Sequence, residues 1–311
     1  MEPISLIIFG VILLVIYFLW GRQKGAGQKR QSTTSGNQGQ FFDQSKMKNN
    51  SVYRMYMGGT HSGKIFDKFS NIEDVTDAIR KAGLESSNLI FGIDFTASNV
   101  HQGIKTNGGR SLHHIDMLNP NPYQRVIAIL GETLESFDDD NFIPAYGFGD
   151  VTTKDFGTFP FLSEGHCAGF QSVLSAYEGI ASRVRLSGPT NFAPLIRKAI
   201  DIVKNTRAYH ILVIVADGQV TSEKATKQAI VEASYHPLSI ILVGVGDGPW
   251  DMMEEFDDGL PSRKFDNFQF VDFNKVMTEA RNPEAAFALC ALMEIPDQFK
   301  KIKQLGLLNF D

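Results

Sequence analysis

Three oxygen-bearing side chains stand at alternate positions directly after an apolar run of the sequence. The run covers residues 89–93, and Asp94, Thr96 and Ser98 follow it. In an extended chain alternate residues point to the same side, so we expect one carboxylate and two hydroxyls to converge on one point. The triplet predicts a small cluster of hard oxygen donors.

Two further oxygen donors follow the same logic elsewhere in the chain. Asp217 comes directly after the apolar run of residues 211–216, and Thr190 lies in a turn just before a predicted helix. Carboxylates and hydroxyls without a soft ligand are typical of a site for a hard divalent cation. The five residues therefore predict a Mg²⁺ site, with Mn²⁺ or Ca²⁺ as alternatives.

Each of these residues also has an ordinary structural interpretation. A single Asp or Thr at the end of a strand is most often a helix cap or a turn former. Taken together, the donors favour the metal site, because each of them follows a strand of one predicted sheet or precedes a helix that flanks it.

The elements that must position these residues are short apolar runs alternating with segments of helical periodicity. The strand-like runs lie at residues 89–93, 142–148, 211–216, 238–243 and 268–271, and the helical segments at residues 123–137, 169–184, 193–204 and 222–235. Nearly continuous apolar strands between helices predict an α/β fold: a doubly wound, mostly parallel sheet with helices on both faces. Ligands bind such sheets outside the carboxyl ends of the strands, where the five donors stand.

The amino-terminal part of the sequence differs from the rest. Residues 4–20 carry no charged side chain, and about 17 residues of helix reach roughly 25 Å, close to the thickness of a thin bilayer core. We therefore expect one transmembrane helix within residues 1–22, then a flexible linker over residues 23–50 and a globular domain over residues 51–311. A cleaved signal peptide and a buried core helix are the alternatives.

Basic residues determine the orientation expected for such an anchor. Arg22, Lys24, Lys29 and Arg30 all follow the apolar run, whereas Glu2 is the charged side chain before it. Positive charge is enriched on the cytoplasmic side of membrane helices. This asymmetry predicts a single-pass membrane protein whose globular domain faces the cytosol.

Composition excludes several other classes of protein. The 311 residues are 43% hydrophobic with 24 Phe, which is enough to build a core. A net charge of −5 argues against nucleic acid as a partner. The two cysteines, Cys167 and Cys290, exclude both a disulfide scaffold and a four-cysteine metal site.

The predicted metal-site residues resemble a known motif. The pattern Asp94-x-Thr96-x-Ser98, followed by Thr190 and Asp217, is similar to the metal-ion-dependent adhesion site (MIDAS) of von Willebrand factor A (vWA) domains. The resemblance implies a protein partner that offers a Glu or Asp side chain to an open position on the cation.

Longer strings of the sequence resemble one branch of these domains. Strings similar to the copine family include Asn121-Pro122-Tyr123 and Gly188-Pro189-Thr190-Asn191-Phe192. Strings similar to the A domain of the plant RGLG ubiquitin ligases include Ser111-Leu112-His113-His114 and Ala216-Asp217-Gly218-Gln219-Val220-Thr221. The similarity runs from about residue 66 to residue 308. For the adjacent His113 and His114 we expect a surface or packing role.

The sequence also departs from both groups of relatives. Copines carry two C2 domains before the A domain, and RGLG ligases end in a RING, which needs about eight Cys or His ligands. Position 2 is Glu2, so the N-myristoylation signal of those ligases is absent. We expect no enzyme activity and predict a membrane-tethered module that binds proteins through its metal site. The alternatives are a non-catalytic, substrate-recruiting component of a ubiquitin ligase assembly and, least favoured, a metal-dependent hydrolase.

Overall fold

The computed structural model describes residues 49–58, 65–218, 220–260 and 262–309. The predicted anchor, residues 1–22, lies outside the described residues, as does the predicted linker apart from its last two positions.

A six-stranded sheet forms the centre of the described chain. The described residues form eight strands in all: β1 (Asn88–Asp94), β2 (Phe142–Ile143), β3 (Ala145–Phe148), β4 (Phe159–Pro160), β5 (Cys167–Ala168), β6 (His210–Ala216), β7 (Leu238–Gly244) and β8 (Phe268–Asp272). Six of them pair in the order β4-β3-β1-β6-β7-β8, and every pair is parallel except the antiparallel edge pair β3–β4. The remaining two, β2 and β5, form a separate antiparallel pair.

Alternation along the central strands divides the apolar side chains between two cores. In β6, Ile211, Val213 and Val215 belong to one hydrophobic cluster, whereas Leu212 and Ile214 belong to the other. Successive side chains of a strand point to opposite faces, so both faces of the sheet are covered. A strand buried on both faces is apolar at nearly every position, which is why β6 and β7 read as continuous apolar runs.

Ten α-helices surround the sheet in the described residues. They are α1 (Ser51–Met57), α2 (Ile72–Lys81), α3 (Pro122–Glu135), α4 (Gly169–Ala181), α5 (Ala193–Thr206), α6 (Glu223–Ala233), α7 (Asp251–Asp258), α8 (Phe273–Glu279), α9 (Pro283–Leu292) and α10 (Ile295–Gln304). Helices α5, α6 and α7 contribute to one core, and the other seven contribute to the opposite core. The structure confirms the predicted mixed α/β fold with a mostly parallel sheet flanked by helices.

One predicted strand is divided in two. The apolar run of residues 142–148 breaks at Pro144, whose backbone has no N–H to donate to a ladder. Before it, β2 pairs with β5; after it, β3 joins the main sheet beside β1. The carbonyl of Pro144 still accepts a hydrogen bond from the N–H of Phe91 over 2.9 Å. The chain thus leaves the β2–β5 pair at Pro144 and enters the six-stranded sheet directly after it.

The predicted single-pass membrane localisation is wrong. Among the described residues, no helix is both long and apolar enough to cross a bilayer. The longest helices of this part, α3 and α5, have 14 residues each, or about 21 Å of axial length against about 30 Å of hydrocarbon. The predicted anchor, residues 1–22, and the basic residues from which its orientation was predicted lie outside the described residues.

Candidate metal centre

Asp94 and Asp217 lie at the carboxyl ends of neighbouring parallel strands. The register between β1 and β6 sets Ile93 opposite Val215. Asp94 is the last residue of β1, and Asp217 directly follows β6. Both side chains are buried, with 0% and 1% of their surface exposed. The two carboxylates therefore share the edge of the sheet at which the sequence placed them.

Hydrogen bonds join four of the five predicted residues in a continuous series. The N–H of Thr96 donates to Oδ1 of Asp94 over 2.8 Å, and Oγ of Ser98 donates to Oδ1 of Asp217 over 3.1 Å. The two hydroxyl oxygens, Thr96 Oγ1 and Ser98 Oγ, are 2.9 Å apart. Because the single proton of Ser98 goes to Asp217, Thr96 is the donor between the two hydroxyls.

The second oxygen of each carboxylate has no partner. Oδ2 of Asp94 and Oδ2 of Asp217 are both buried and make no hydrogen bond. An unpaired buried oxygen of this kind is costly, and native structures contain few of them. The donor set thus leaves two carboxylate oxygens, backed by two hydroxyls, available to a cation.

The electrostatics of the pair point the same way. Burial raises the pKa of Asp94 to about 6, against the hydrogen bonds from Thr96 that lower it. Burial also raises the pKa of Asp217 to about 8, and the negative charge of Asp94 adds to that rise. At neutral pH the two carboxylates therefore destabilise each other unless a proton or a cation is bound with them.

Two glycines permit the close packing around these carboxylates. A Cβ at Gly149, which has φ of +81°, would overlap Cγ2 of Thr96 and lie 3.5 Å from Oδ1 of Asp94. A Cβ at Gly246 would overlap the carbonyl oxygen of Asp217. The backbone that follows β3 and the backbone that follows β7 thus pack directly against the site. A residue with a side chain at Gly149 or Gly246 would displace the atoms that it overlaps.

Thr190, the fifth predicted residue, lies in the turn before α5 and is buried. Its carbonyl accepts two hydrogen bonds from Thr221, from the N–H over 3.0 Å and from Oγ1 over 2.8 Å. The same segment reaches the first loop through Ser187, whose carbonyl accepts from the N–H of Ala97 over 2.6 Å. Within the described part of the chain, the hydrogen bonds connect Thr190 to Thr221 and not to the other four residues.

A layer of aromatic residues under the first loop was not predicted as part of the site. The ring of His113 is stacked between Phe95 and Tyr123, with ring centroids 4.6 Å and 4.3 Å away. Nε2 of His113 lies 2.8 Å from the carbonyl oxygen of Asp94, and its Nδ1 lies 2.9 Å from the hydroxyl of Tyr177. His113 thus has the packing role expected from the sequence, and it also holds the backbone of Asp94.

The partners of His113 determine its tautomer. A carbonyl oxygen only accepts, so Nε2 carries the proton and Nδ1 accepts from the hydroxyl of Tyr177. That hydroxyl in turn accepts from Nδ2 of Asn121 over 3.0 Å. Burial lowers the pKa of His113 to about 4, so the imidazole stays neutral at physiological pH. The layer is therefore an uncharged, fully hydrogen-bonded support.

Asn99 completes this support from the first loop itself. Its Nδ2 donates to the carbonyl of Thr96 over 3.1 Å, and its Oδ1 accepts from the hydroxyl of Tyr123 over 2.6 Å. Tyr123 is placed by the first turn of α3, where Asn121 and Gln124 form a capping box. Asn99 ends the string of residues 92–99 that resembles the copine family, but its residue type and spacing did not predict this supporting role.

Apart from Asp94 and Asp217, the site is built from hydroxyls. In the part of the chain that the structure describes, no group of three or more His, Cys, Asp or Glu side chains is arranged to hold a metal. A cation at this edge would therefore have two carboxylates at most and would depend on Thr96, Ser98 and Thr190 for its other protein ligands.

Comparison with known proteins identifies the fold family. The sequence profile of the Copine family matches residues 111–310, more than half of the chain. The chain belongs to the copine family. The match includes the supporting His113 and two of the predicted metal-site residues, Thr190 and Asp217.

Two curated relatives contain a segment similar to most of this chain. It is 55% identical over 266 residues to Copine family protein 2 of Caenorhabditis elegans, covering 84% of this chain and 3% of that protein. It is 52% identical over 263 residues to the E3 ubiquitin-protein ligase RGLG1 of Arabidopsis thaliana, covering 79% of this chain and 54% of that protein. The chain thus spans about half of the ligase and a small part of the nematode protein.

Solved structures that align with this chain are more distant in sequence. A von Willebrand factor type A protein from Catenulispora acidiphila aligns with a TM-score of 0.41 at 17% identity, over 66% of this chain and 43% of that chain.

Proposed function

We propose that this copine domain binds a protein partner through a divalent cation held by Asp94, Thr96, Ser98, Thr190 and Asp217. The observation that carries the proposal is the pair of buried carboxylate oxygens, Oδ2 of Asp94 and Oδ2 of Asp217, that have no partner. Mg²⁺ is the expected ion because the donors are hard oxygens, and Mn²⁺ or Ca²⁺ can use the same set.

The residues divide the work of holding the ion. Asp94 offers the carboxylate of the first loop, and Asp217 acts directly or through a bridging water. Thr96, Ser98 and Thr190 add neutral hydroxyl oxygens. When bound, the cation supplies a positive centre. The two carboxylates balance its charge of +2, so the site would have no excess negative charge to repel a further carboxylate. A Glu or Asp of a partner protein is the group that suits an open position on such an ion.

The chemistry of the site supports binding rather than catalysis. Metal-assisted hydrolysis needs a general acid or base that can exchange a proton with a bound water. His113 is the imidazole that contacts Asp94, but both of its nitrogens are engaged and burial keeps it neutral. We therefore propose that the domain recognises a partner and performs no reaction on it.

The first test measures metal binding by itself. Titration of the protein with Mn²⁺, followed by the electron paramagnetic resonance of free Mn²⁺, is expected to give one site in the wild type. Asp94→Asn should remove it, while the amide keeps the acceptor that Thr96 uses. The folded state in EDTA should survive, because the substitution also relieves the repulsion with Asp217.

Asp272→Asn provides the matched control. Asp272 also ends a parallel strand, β8, and its side chain caps α8 by accepting from the N–H of Lys275. Asn is an equally good cap, so the fold should be retained. Mn²⁺ binding that is unchanged by Asp94→Asn, or lost equally in Asp272→Asn, would contradict the proposed site.

A second candidate is recruitment of substrates to a ubiquitin ligase assembly. The identity of 52% to RGLG1, named as an E3 ubiquitin-protein ligase, is the observation that favours it. A RING needs about eight Cys or His ligands in close pairs, whereas the sequence has two cysteines, both buried and unpaired. In such an assembly this domain would supply recognition, and a RING outside residues 1–311 would supply the catalysis.

Affinity purification from cells distinguishes the two candidates. Wild-type and Asp94→Asn proteins are captured in parallel, and each eluate is supplied with ubiquitin, its activating and conjugating enzymes and ATP. Ubiquitin chains formed by the wild-type eluate, but by neither the Asp94→Asn eluate nor the purified domain, would support recruitment. An inactive wild-type eluate would leave the simpler binding module.

A further inference from the structure

The four most exposed large apolar side chains of the described residues lie in two loops at one edge of the sheet. They are Ile104 (64% exposed), Met117 (99%), Leu118 (87%) and Phe156 (78%). The first three belong to the loop that follows β1, and Phe156 belongs to the loop that follows β3. We refer to these four residues as the apolar rim.

The first part of the rim is connected to the metal-site edge by hydrogen bonds. The carboxylate of Asp247, which follows β7, accepts from the N–H of Lys105 over 3.0 Å and from Oγ1 of Thr106 over 2.7 Å. Nε2 of Gln102 lies 3.9 Å from the position that a Cβ would take at Gly218. The segment that carries Ile104 therefore lies against the turns that follow β6 and β7, beside Asp217.

Met117 and Leu118 are presented by a turn of the same loop. Oδ1 of Asp116 accepts from the N–H of Leu118 over 3.0 Å, and Oδ2 of Asp116 accepts from Nη1 of Arg110 over 3.1 Å. These contacts hold the turn to the segment that carries Ile104. The two side chains thus project from a hydrogen-bonded loop that also contains the metal-site residues Thr96 and Ser98.

Phe156 stands on the other side of the site. The carboxylate of Asp150 organises its loop by accepting hydrogen bonds from the N–H groups of Thr152 and Thr153. Nδ2 of Asn191 then donates to the carbonyl of Asp155 over 3.0 Å. Because Asn191 directly follows Thr190, this contact sets Phe156 beside the turn that carries the fifth predicted ligand.

Apolar side chains this exposed need an explanation when their loops are ordered. Single exposed apolar residues scattered over a surface are ordinary, but several at one edge of a domain, beside a proposed binding site, favour an interaction surface. Loops fixed by internal hydrogen bonds lose little conformational entropy when a partner docks, so their apolar side chains are well suited to contact one.

We infer that the partner of this domain presents a Glu or Asp flanked by large apolar side chains, which pack against the apolar rim while the carboxylate reaches the cation. This inference rests on the proposed function, because the rim residues lie on loops at the same edge of the sheet as the site proposed for the ion. It adds the class of partner: an acidic residue in an apolar setting, not an acidic surface in general.

Two short peptides of equal charge test it. Acetyl-Gly-Phe-Glu-Leu-Gly-amide and acetyl-Gly-Ser-Glu-Ser-Gly-amide are titrated at millimolar concentration into methyl-labelled wild-type protein in Mg²⁺, and shifts are followed by NMR. We expect the apolar peptide to bind about tenfold more tightly, as burial of one or two large side chains implies. The methyl signals of Ile104, Met117 and Leu118 should move with it.

Variants of the rim provide the second measurement. In the triple variant Ile104→Ser, Met117→Ser, Leu118→Ser, the ratio of the two affinities should fall to about one while Mn²⁺ binding is unchanged. The double variant Met55→Ser, Tyr235→Ser is the control, since these residues are also exposed but lie on α1 and on the turn before β7. It should keep the tenfold ratio.

The outcomes separate this inference from the function on which it rests. Equal affinity of the wild type for the two peptides, or no movement of the rim methyl signals, would overturn the inference while leaving metal-dependent binding intact. If the wild type in EDTA, or Asp94→Asn in Mg²⁺, bound the peptides as tightly as the wild type does in Mg²⁺, the proposed function would be overturned instead. The wild-type comparison needs no variant, so a misfolded triple variant does not obscure the result.

Discussion

Ser98 donates a hydrogen bond from its Oγ to Oδ1 of Asp217 over 3.1 Å, although 119 positions separate them in sequence. Oδ1 of Asp94 is used in the same way by the N–H of Thr96. In both carboxylates the remaining oxygen, Oδ2, is buried and has no partner. In each carboxylate, Oδ1 thus orders the loops and Oδ2 is left for a ligand. A cation can therefore bind without breaking the hydrogen bonds that shape the site.

The stability of the metal-free protein should fall as the pH rises from about 6.5 to about 8. The folded pKa of Asp217, about 8, lies above its ordinary value of 3.8. The folded state therefore retains a proton that the unfolded state has released, and the resulting stabilisation is lost as the pH rises through the folded pKa. Urea unfolding in EDTA should show a slope of at most about 1.4 kcal/mol per pH unit.

The lower limit of this pH window is set by His113. Its folded pKa of about 4 lies below its ordinary value of 6.5, so its contribution is complete above pH 6.5 and is lost as the pH falls. Below about 6.5 the two effects oppose each other. Asp217→Asn and saturating Mg²⁺ should each flatten the slope above that limit. An identical slope in the wild type and in Asp217→Asn would show that Asp217 does not cause it.

His113→Phe should weaken both the fold and metal binding. The new ring can keep the stacks on Phe95 and Tyr123, but the hydrogen bond to the carbonyl of Asp94 and the acceptor for Tyr177 are lost. We expect a loss of about 1 to 3 kcal/mol in the free energy of unfolding. Mn²⁺ affinity should fall several-fold, because the backbone that carries the Asp94 carboxylate loses its anchor.

The exposed neighbour His114 supplies the control for that substitution. His114→Gln should change neither the free energy of unfolding nor Mn²⁺ affinity. Wild-type affinity in a folded His113→Phe protein would mean that the aromatic layer stabilises the core without positioning Asp94.

That Asp94 and Asp217 lie close together could be predicted from the sequence, because strand ends are easy to recognise. Asp94 and Asp217 each follow an apolar run, and parallel pairing of β1 with β6 brings any such residues together. His113 and Asn99 are held beside the site by hydrogen bonds to Tyr177 and Tyr123, which are distant in sequence. Those contacts depend on how α3 and α4 pack, and no local pattern encodes that packing.

The fold could be predicted from the sequence wherever the residue pattern is compatible with only one type of secondary structure. Pro144 divides an apolar run that reads as a single strand, since periodicity does not register a missing N–H. Helix α9 was not predicted because Ala285, Leu292 and the residues between them are all buried, which removes the alternation that marks an amphipathic helix. The membrane localisation, which rested on an apolar run and the basic residues after it, was wrong: no helix of the described residues could cross a bilayer.

Gly149→Ala should distort the site through the backbone. Gly149 has φ of +81°, and an added Cβ would overlap Cγ2 of Thr96. The strained backbone and the overlap together should cost about 1 to 3 kcal/mol of stability, and Mn²⁺ affinity should fall as Thr96 is displaced.

Gly157, in the loop that continues from Gly149, is the matched control. An added Cβ there meets nothing within 4 Å, so Gly157→Ala should stay within about 0.5 kcal/mol of the wild type. Denaturant unfolding and Mn²⁺ titration measure both variants. Equal behaviour of the two would mean that the end of β3 can move away from Thr96 without cost.

Thr190→Ala should reduce Mn²⁺ affinity on the order of tenfold, less than Asp94→Asn, because a neutral hydroxyl binds a dication more weakly than a carboxylate does. The turn should survive, since Thr221 is hydrogen-bonded to the carbonyl of Thr190 and not to its side chain. Thr190→Ser retains a hydroxyl at the same distance along the side chain and should bind nearly as the wild type does. If Thr190→Ala and the wild type gave the same Mn²⁺ titration, Thr190 would not be a ligand, and the ion would be held by Asp94, Thr96, Ser98 and Asp217.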